Sequence, residues 1–373
     1  MIIMFVLLVF LSFYSYLIYP LLLRCILPFL GKPWQQKAAE PRVSMVVCAY
    51  NEESVIREKL NNALNLDYPD GFLEIIMCSD GSTDGTNQIV SSIADHRITF
   101  HAFAQRSGKT ACLNRAVPNA KGEIILFTDA NSILPGDVLK KIVRNFSDPE
   151  VGLVTGWTKY QNANGQEVST GSYARYEKAL KIWESAVQSC VGADGAIFAI
   201  RKDLYCPLRD DDINDFVIPL DVIRQNRRVV LDPEVFCFEE GSESAESEYS
   251  RQVRITTRTL WAIRRNMGLL NPFRYGLFAI FLFSHKLMRF LTPFFLIATY
   301  LLNLLILRKH PIYRLFFLGY NVFLTVAAAG FFIKPKSRII EAPAMLLVSF
   351  VAQGKGFVRM LQGIGDTTWT PRK

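Results

Sequence analysis

Three apolar segments in the middle of the chain are each followed by a polar stretch that includes acidic residues. The polar stretches are 49–53, 79–86 and 129–131, and they include Asp80 and Asp129. Carboxylates gathered at one edge of a sheet repel each other unless a cation, or donors such as a uracil N–H and ribose hydroxyls, lies between them. The pattern therefore predicts a site for a cation and for a ligand rich in hydrogen-bonding groups.

The glycine-rich run 80–86 also has a purely structural interpretation, in which Asp84 caps the helix that follows, and we expect that cap to form. Asp80 lies earlier, at the end of the strand, which favours a binding role for it. A calcium loop is excluded because the bidentate acid that such a loop requires falls on Ser91.

Lys109 follows Gly108 at the predicted start of a helix. A phosphate loop is excluded because its earlier glycine position is occupied by Phe103. A helix N-terminus and an ammonium group both attract anions, so Lys109 still suits a diphosphate. The alternative is a solvated lysine.

Asp129 and Asn131 place two oxygen-bearing side chains at alternate positions after a strand. Both can point at one divalent ion, and Mg²⁺ or Mn²⁺ there would neutralise a departing diphosphate. A helix cap is the alternative for either residue.

The second half of the chain offers a possible general base at Asp215. The apolar run 216–220 follows it, so partial burial is expected to raise its pKa toward the range that general-base catalysis uses. The acidic run 210–212 is interpreted as a solvated loop. Further along, Arg251 and Arg254 lie on one predicted helix face, where phosphates and lipid headgroups are equal alternatives as partners.

The elements that must position these residues are strands and helices in alternation. Strands are predicted at 42–48, 73–78, 98–102 and 123–128, and helices at 52–66, 84–94 and 109–117. Strands that are apolar throughout indicate a mostly parallel sheet covered on both faces. In such α/β folds ligands bind beyond the carboxyl ends of the strands, where the acidic residues lie.

Composition separates this central region from the ends of the chain. The 373 residues are 50% hydrophobic and 20% charged, and the charges are almost absent from 1–23 and 290–333. The net charge of +8 comes largely from basic residues beside the apolar runs, which favours anionic membrane lipids over nucleic acid as partners. Seven cysteines without a CxxC pair indicate reduced thiols in a cytosolic compartment, and four dispersed histidines exclude a histidine-based zinc site.

The apolar segments predict a membrane protein with a cytoplasmic central domain at 40–265. Residues 1–30 are predicted as a transmembrane anchor, with a signal peptide as the weaker alternative. An interfacial helix is predicted at 272–289 and a transmembrane hairpin at 290–333. Residues 341–373 are predicted as a third membrane or interfacial segment followed by a basic tail.

Six motifs in order identify a resemblance. They are Cys-Ala-Tyr-Asn-Glu-Glu (48–53), Asp-Gly-Ser-Thr-Asp-Gly-Thr (80–86), Gly-Lys (108–109), Asp-Ala-Asn (129–131), Gly-Ala-Asp-Gly (192–195) and Asn-Asp (214–215). The set resembles the family 2 inverting glycosyltransferases, in particular the membrane-embedded group of cellulose, chitin, hyaluronan and poly-N-acetylglucosamine synthases. The resemblance implies a GT-A fold, which is a Rossmann-like α/β fold, and a UDP-sugar donor.

The resemblance also implies a role for each matching residue. Asp80 would hold the uracil beside Tyr50 and Glu53, and Asp129 would meet the ribose and the metal with Asn131 at the second acid position. Asp215 would be the base that deprotonates the acceptor hydroxyl. The implied donor-binding residues are Ala49, Tyr50, Glu53, Asp80, Lys109 and Asp129, and the implied acceptor-binding residues are Asp194, Arg251 and Arg254.

One family motif is only partly kept. The family's Gln-x-x-Arg-Trp aligns with 251–255, where Arg254 remains and both the glutamine and the tryptophan that stacks on the growing glycan are replaced. Processive synthesis and single transfer therefore stay open as alternatives.

The leading hypothesis is metal-assisted sugar transfer from a UDP-sugar to an acceptor hydroxyl, in cell-surface polysaccharide or glycolipid synthesis. Two alternatives remain open. One is a transferase that charges a polyprenyl phosphate, and the other is a non-catalytic membrane subunit of a glycan-synthesis complex. Other subunits of a polysaccharide export system are possible partners in each case.

Overall fold

The structure is a computed structural model that describes residues 1–162, 172–240, 245–332 and 338–365. The chain divides into two units. We call Leu23–Ser242 with Asn266–Phe281 the sheet unit, and Met1–Leu22, Glu243–Arg265 and Leu282–Gly365 the helical unit.

One seven-stranded sheet forms the centre of the sheet unit. Its strands are β1 (Val43–Ala49), β2 (Leu73–Asp80), β3 (Ile98–Phe103), β4 (Ile124–Asp129), β5 (Val151–Gln161), β6 (Ile197–Arg201) and β7 (Arg228–Glu240). Their order across the sheet is β3-β2-β1-β4-β6-β5-β7. The pairs among β1 to β4 are parallel as the sequence predicts, β6 runs antiparallel to both of its neighbours, and β5 pairs with β7 in parallel.

The helices follow the strands in alternation and then dominate the C-terminal part of the chain. They are α1 (Ile2–Phe13), α2 (Tyr19–Leu30), α3 (Ile56–Leu64), α4 (Thr86–Ser91), α5 (Lys109–Ala116), α6 (Val138–Val143), α7 (Ser172–Val187), α8 (Asn214–Arg224), α9 (Ala245–Arg265), α10 (Pro272–Tyr275), α11 (Leu277–Phe281), α12 (Met288–Ile306), α13 (Pro311–Phe332) and α14 (Arg338–Leu361).

The sheet core explains why the parallel strands are apolar throughout. Every residue of β1 is buried, because helices cover both faces of the sheet. Met45 and Leu126 face the side of the sheet that packs against Ile56 of α3. Side chains alternate along a strand, so Asp129 points to the opposite face from Thr128. α5 packs on that opposite face, against β1 and β2.

The helical unit holds apolar helices that pack through both apolar and polar side chains. Tyr14 and Ser284 share a hydrogen bond of 2.9 Å, and Ser12 lies 3.4 Å from Thr299 between their hydroxyl oxygens. Phe294 of α12 packs edge to face on Phe357 of α14. Small polar groups of this kind are common where membrane helices meet.

Within the described ranges, four helical segments are long and apolar enough to cross a membrane. They are Ile2–Leu30, Leu277–Ile306, Pro311–Gly330 and Ala342–Leu361. Three of them coincide with the predicted anchor and hairpin, although the second begins at Leu277 and so takes in most of the predicted interfacial helix. The domain boundaries and the membrane side of each segment remain predictions.

Candidate active site

The loops after β1 and β2 are tied to each other by reciprocal hydrogen bonds. The Gly85 N–H donates to Glu53 Oε2 at 2.7 Å, and the Glu53 N–H donates to Asp84 Oδ2 at 3.1 Å. Asp84 Oδ1 also accepts from the Thr86 N–H at 3.0 Å, so Asp84 does satisfy the start of α4 as expected. Glu53 was predicted to bind the donor. In the structure, at least one of its carboxylate oxygens accepts a hydrogen bond that joins the loop after β1 to the loop after β2.

Asp80 is fully buried at the end of β2 and fastens the loop that precedes α5. Its Oδ1 accepts from the Ser107 N–H at 2.7 Å and its Oδ2 from the Gly108 N–H at 2.9 Å. Gly108 has a φ of +92°, a conformation that residues with a Cβ rarely adopt. Asp80 thus fixes the position of Lys109, the first residue of α5, and its predicted contact with a uracil remains a prediction.

Two further residues of the predicted donor site differ in what they offer a ligand. Tyr50 is partly exposed, and the Arg106 guanidinium lies 3.8 Å from the centre of its ring. Ala49 is fully buried in the core, and its predicted contact with the donor remains a prediction.

A close ion pair joins α5 to the end of β4. Lys109 Nζ lies 2.5 Å from Asp129 Oδ1, and 16% of the Lys109 side chain is exposed against 38% of Asp129. Burial alone would lower the pKa of Lys109, but the charge and hydrogen bond of Asp129, together with smaller contributions that include Asp215, raise that pKa above the ordinary value. The Lys109 ammonium therefore contacts Asp129, the carboxylate at the end of β4 that was predicted as a metal ligand.

Asp215 lies in the first turn of α8 and faces the same pair. Burial raises its pKa, Lys109 and Lys181 oppose that effect, and the Asp129 carboxylate adds to it. Its Oδ1 is shielded from solvent and has no hydrogen-bond partner among the described residues. A Cβ at position 195 would lie 3.1 Å from its Oδ2, so glycine leaves space beside this carboxylate. Asp215 is therefore close enough to Lys109 and Asp129 for their charges to influence its pKa, and its role as a base remains a prediction.

Asp194 holds the turn next to Asp215. Its carboxylate accepts from the Thr158 N–H at 2.9 Å, the Thr158 hydroxyl at 3.0 Å and the Ala196 N–H at 3.1 Å. The Ala193 N–H donates in turn to the Asp215 carbonyl at 2.7 Å. Asp194 thereby connects β5 to the turn that supports Asp215, and its predicted contact with an acceptor stays a prediction.

Sequence reasoning missed two charged residues at this site. Lys181 of α7 donates to the Ala193 carbonyl at 3.1 Å and acts electrostatically on Asp215. No local pattern marks it, because it is one of two lysines on a helix of mixed composition. Burial, and then Asp129 and Asp84, raise the pKa of Glu52 to about 7. Its position in the polar stretch that follows β1 was the available signal, although the neighbouring Glu53 was chosen instead.

A divalent ion suits the chemistry at Asp129. Among the described residues, no group of three or more His, Cys, Asp or Glu side chains is arranged to hold a metal. Mg²⁺ and Mn²⁺ sites at nucleotides need fewer protein ligands, since water and phosphate oxygens complete the shell. Asp129 already attracts an ammonium at 2.5 Å, and Asn131 is partly exposed two residues later. These two residues fit such an ion.

Arg251 and Arg254 belong to α9 of the helical unit. Arg251 Nε donates to Glu248 Oε2 at 2.8 Å, one turn earlier in the same helix. Their predicted role in binding the acceptor remains a prediction.

Comparison with known proteins matches part of the chain to one family. Residues 44–205 match the model of glycosyl transferase family 2. The β-monoglucosyldiacylglycerol synthase of a Nostoc species is 32% identical over 161 residues, which cover 42% of this chain and 34% of that protein. The poly-β-1,6-N-acetyl-D-glucosamine synthase of Staphylococcus epidermidis is 26% identical over 164 residues, or 43% of this chain and 39% of that protein. The matched region is thus little more than a third of the length of these relatives.

A solved structure shares the fold over a longer range. The mannosyltransferase PcManGT from Pyrobaculum calidifontis, solved with GDP-Man and Mn²⁺, superposes with a TM-score of 0.74 at 22% identity. The match covers 96% of this chain and 98% of that one. At this identity the likeness establishes the GT-A fold.

Proposed function

Because residues 44–205 match the model of glycosyl transferase family 2, we propose that the chain transfers a sugar from a UDP-sugar to an acceptor hydroxyl, with inversion at the anomeric carbon. The observation that carries the proposal is the cluster of Asp129, Lys109 and Asp215 at the carboxyl end of the sheet. It combines groups suited to a departing diphosphate with a carboxylate suited to accepting a proton.

In the proposed reaction Asp215 takes the proton from the acceptor hydroxyl. The hydroxyl oxygen then bonds to the anomeric carbon while the bond from that carbon to the diphosphate oxygen breaks, and UDP leaves with the electron pair. A carboxylate with a raised pKa is a stronger base than an ordinary aspartate, which favours this role. Glycine at position 195 leaves room beside Asp215 Oδ2, where a Cβ would lie 3.1 Å away, and the acceptor hydroxyl is proposed to approach there.

The leaving group needs positive charge, and this site can supply it in two ways. The Lys109 ammonium at the start of α5 is suited to a diphosphate oxygen. Mg²⁺ or Mn²⁺ held by Asp129 and Asn131 would stabilise the negative charge that develops on the departing diphosphate.

The acceptor is proposed to be a glycan or a lipid at the cytoplasmic face of the cell membrane. The four apolar helical segments of the described chain favour membrane attachment, and the two relatives are named for a glycolipid product and for a polysaccharide product. Cytoplasmic placement follows from the reduced cysteines and from the compartment that contains nucleotide sugars. Asp194, Arg251 and Arg254 are the proposed acceptor-side residues.

Isolated membranes incubated with labelled UDP-sugars, with GDP-mannose as a comparison donor, test the proposal. We expect label from one UDP-sugar in a lipid or glycan fraction, and sizing that product separates single transfer from polymer synthesis. Transfer from GDP-mannose alone would contradict the proposed donor. An absence of both transfer and UDP binding would favour the non-catalytic subunit.

The variant Asp215→Asn separates hydroxyl transfer from the polyprenyl phosphate alternative. A phosphate acceptor is already an anion and needs no base, so its glycosylation would persist in the variant. Loss of transfer in Asp215→Asn membranes that still bind UDP supports the proposed mechanism.

A further inference from the structure

Lys59 of α3 is a lysine that is fully buried. Its ammonium donates to Thr128 Oγ1 at 2.8 Å and to the Ser132 carbonyl at 2.5 Å. Thr128 and Ser132 stand immediately on either side of the segment 129–131, which carries the proposed metal ligands. The ammonium therefore holds both ends of that turn from inside the protein.

The same turn is held from a second side by a buried acid. Ser132 Oγ donates to Glu239 Oε1 at 2.7 Å, and Glu239 is 5% exposed. The backbones of Ile133 and Phe238 exchange two hydrogen bonds of 2.8 Å next to this contact. A buried cation and a buried anion thus meet on Ser132. Burying either charge is costly, so a role beyond core packing is expected for them.

Lys59 acts from the opposite side of the sheet to the proposed ligand. Thr128 points toward α3, whereas Asp129 points toward Lys109 of α5 because strand side chains alternate. Lys59 therefore cannot touch the diphosphate, but its hydrogen bonds define where the turn begins and ends. Burial lowers the pKa of Lys59 to about 8, and Asp129 is among the groups that oppose this effect.

We propose that Lys59 is a positioning residue, which places Asp129 and Asn131 for a divalent cation and the diphosphate of the donor through its hydrogen bonds to Thr128 and Ser132. The proposal rests on the donor site of the proposed function. Removing a group that hydrogen-bonds to metal ligands and orients them usually weakens metal binding by about 10-fold to 100-fold.

The test uses the full-length chain in membranes or detergent, with Lys59→Met to remove the ammonium at similar length. We expect the Mn²⁺ concentration that half-saturates UDP binding to rise by about 10-fold or more. The control is Lys140→Met, which removes an exposed lysine paired with Asp67, and it should leave that concentration unchanged. An unchanged Mn²⁺ requirement in Lys59→Met would overturn the proposal.

A double variant separates positioning from simple charge balance. If Lys59 serves only to neutralise Glu239, then Lys59→Met with Glu239→Gln restores both the melting temperature and the Mn²⁺ affinity, and the proposal is refuted. If Lys59 positions the turn, the double variant recovers melting temperature but still needs about 10-fold more Mn²⁺. A wild-type protein that binds no UDP with Mn²⁺ would refute the donor site itself, and this inference with it.

Discussion

The carboxylate of Asp215 occupies a position that stability alone would not select. One of its oxygens is shielded from solvent and lacks a hydrogen-bond partner among the described residues. Two ammonium groups, those of Lys109 and Lys181, lower its pKa against a larger effect of burial. Such opposing influences are typical of functional carboxylates, whose proton affinity must be tuned.

The first prediction concerns Asp215→Asn. Transfer to a hydroxyl acceptor should fall by about 10²- to 10⁴-fold, the usual contribution of general-base catalysis, while UDP binding persists. The measurement is the initial rate with saturating donor together with UDP affinity. The exposed Asp67→Asn serves as control, and full activity in Asp215→Asn would disprove the assignment of the base.

The same variant has a predicted effect on stability. Folding raises the pKa of Asp215, so protonated Asp215 adds to the free energy of unfolding. This contribution is complete below the unfolded pKa of about 3.9. It is lost as the pH rises through the folded pKa. Asp215→Asn should therefore melt at a higher temperature than the wild type near pH 7. The difference should shrink as the pH approaches about 4, and melting curves over that range test it.

The second prediction concerns Lys109→Met and the pH dependence of transfer. The Lys109 ammonium lowers the pKa of Asp215, so its removal should raise that pKa further. The acidic limb of kcat/KM should then move to higher pH, by about one pH unit or more for an opposite charge at close range. Lys121→Met, at an exposed lysine, should leave the limb in place. A limb that moves to lower pH would contradict this electrostatic coupling.

At the scale of elements, the first four strands were predictable and the later ones were not. The runs that became β1, β2 and β4 are buried on both faces, so uninterrupted apolar sequence identified them. β6 pairs antiparallel between β4 and β5, which are distant from it in sequence. The spacing of apolar residues along the chain does not indicate such long-range pairing.

The residues of the proposed site differ in the same way. Asp129 and Asp215 could be proposed from the sequence because strand ends, and an acid before an apolar run, are visible there. Lys59 and Lys181 were missed, since each occupies a helix position where an exposed lysine is the usual expectation. Lys59 is buried because α3 packs against the end of β4, where its ammonium donates a hydrogen bond to Thr128.

The third prediction concerns the loop before α5 and uses Asp80→Asn. Asp80 now accepts hydrogen bonds from two backbone N–H groups. An asparagine amide has only one oxygen, so one of these N–H groups would lose its acceptor and face the amide N–H instead. This should lower the free energy of unfolding by about 1–3 kcal/mol. We expect a lower melting temperature, by about 2–4 °C per kcal/mol, and a higher KM for the donor because Lys109 shifts. The exposed control Asp137→Asn should change neither. An unchanged melting temperature with lost donor binding would show instead that Asp80 contacts the donor directly.

At the scale of the whole molecule, the uncertain element of the sequence prediction was the segment that became α14. By length and composition, Ala342–Leu361 is able to span a membrane. In the structure, however, α14 packs along α9, where the Thr257 hydroxyl lies 3.3 Å from the Gly356 carbonyl and donates to it. α9 carries an ion pair between Arg251 and Glu248 and two further arginines in its last turn. Each such charge in the centre of a bilayer costs about 2.5 to 3.5 kcal/mol. α14 packs on the apolar helices α12 and α13 as well, so we propose that the charges of α9 keep α9, and α14 with it, at the membrane interface.

The fourth prediction follows from this packing. With α14 at the interface and the other three apolar segments across the bilayer, we expect the segment 308–310 to be outside and the C-terminal residue 373 to be on the proposed cytoplasmic side. Alkaline phosphatase should be active when inserted after Lys309 and inactive when fused after Lys373, and a fluorescent protein fused after Lys373 should fold and emit. The segment 334–338, with three Lys or Arg residues against two in 308–310, would then also be cytoplasmic, which is the direction that the distribution of positive charge in membrane proteins favours. An active phosphatase after Lys373 would mean that α14 spans the membrane and that its contact with α9 lies within the bilayer.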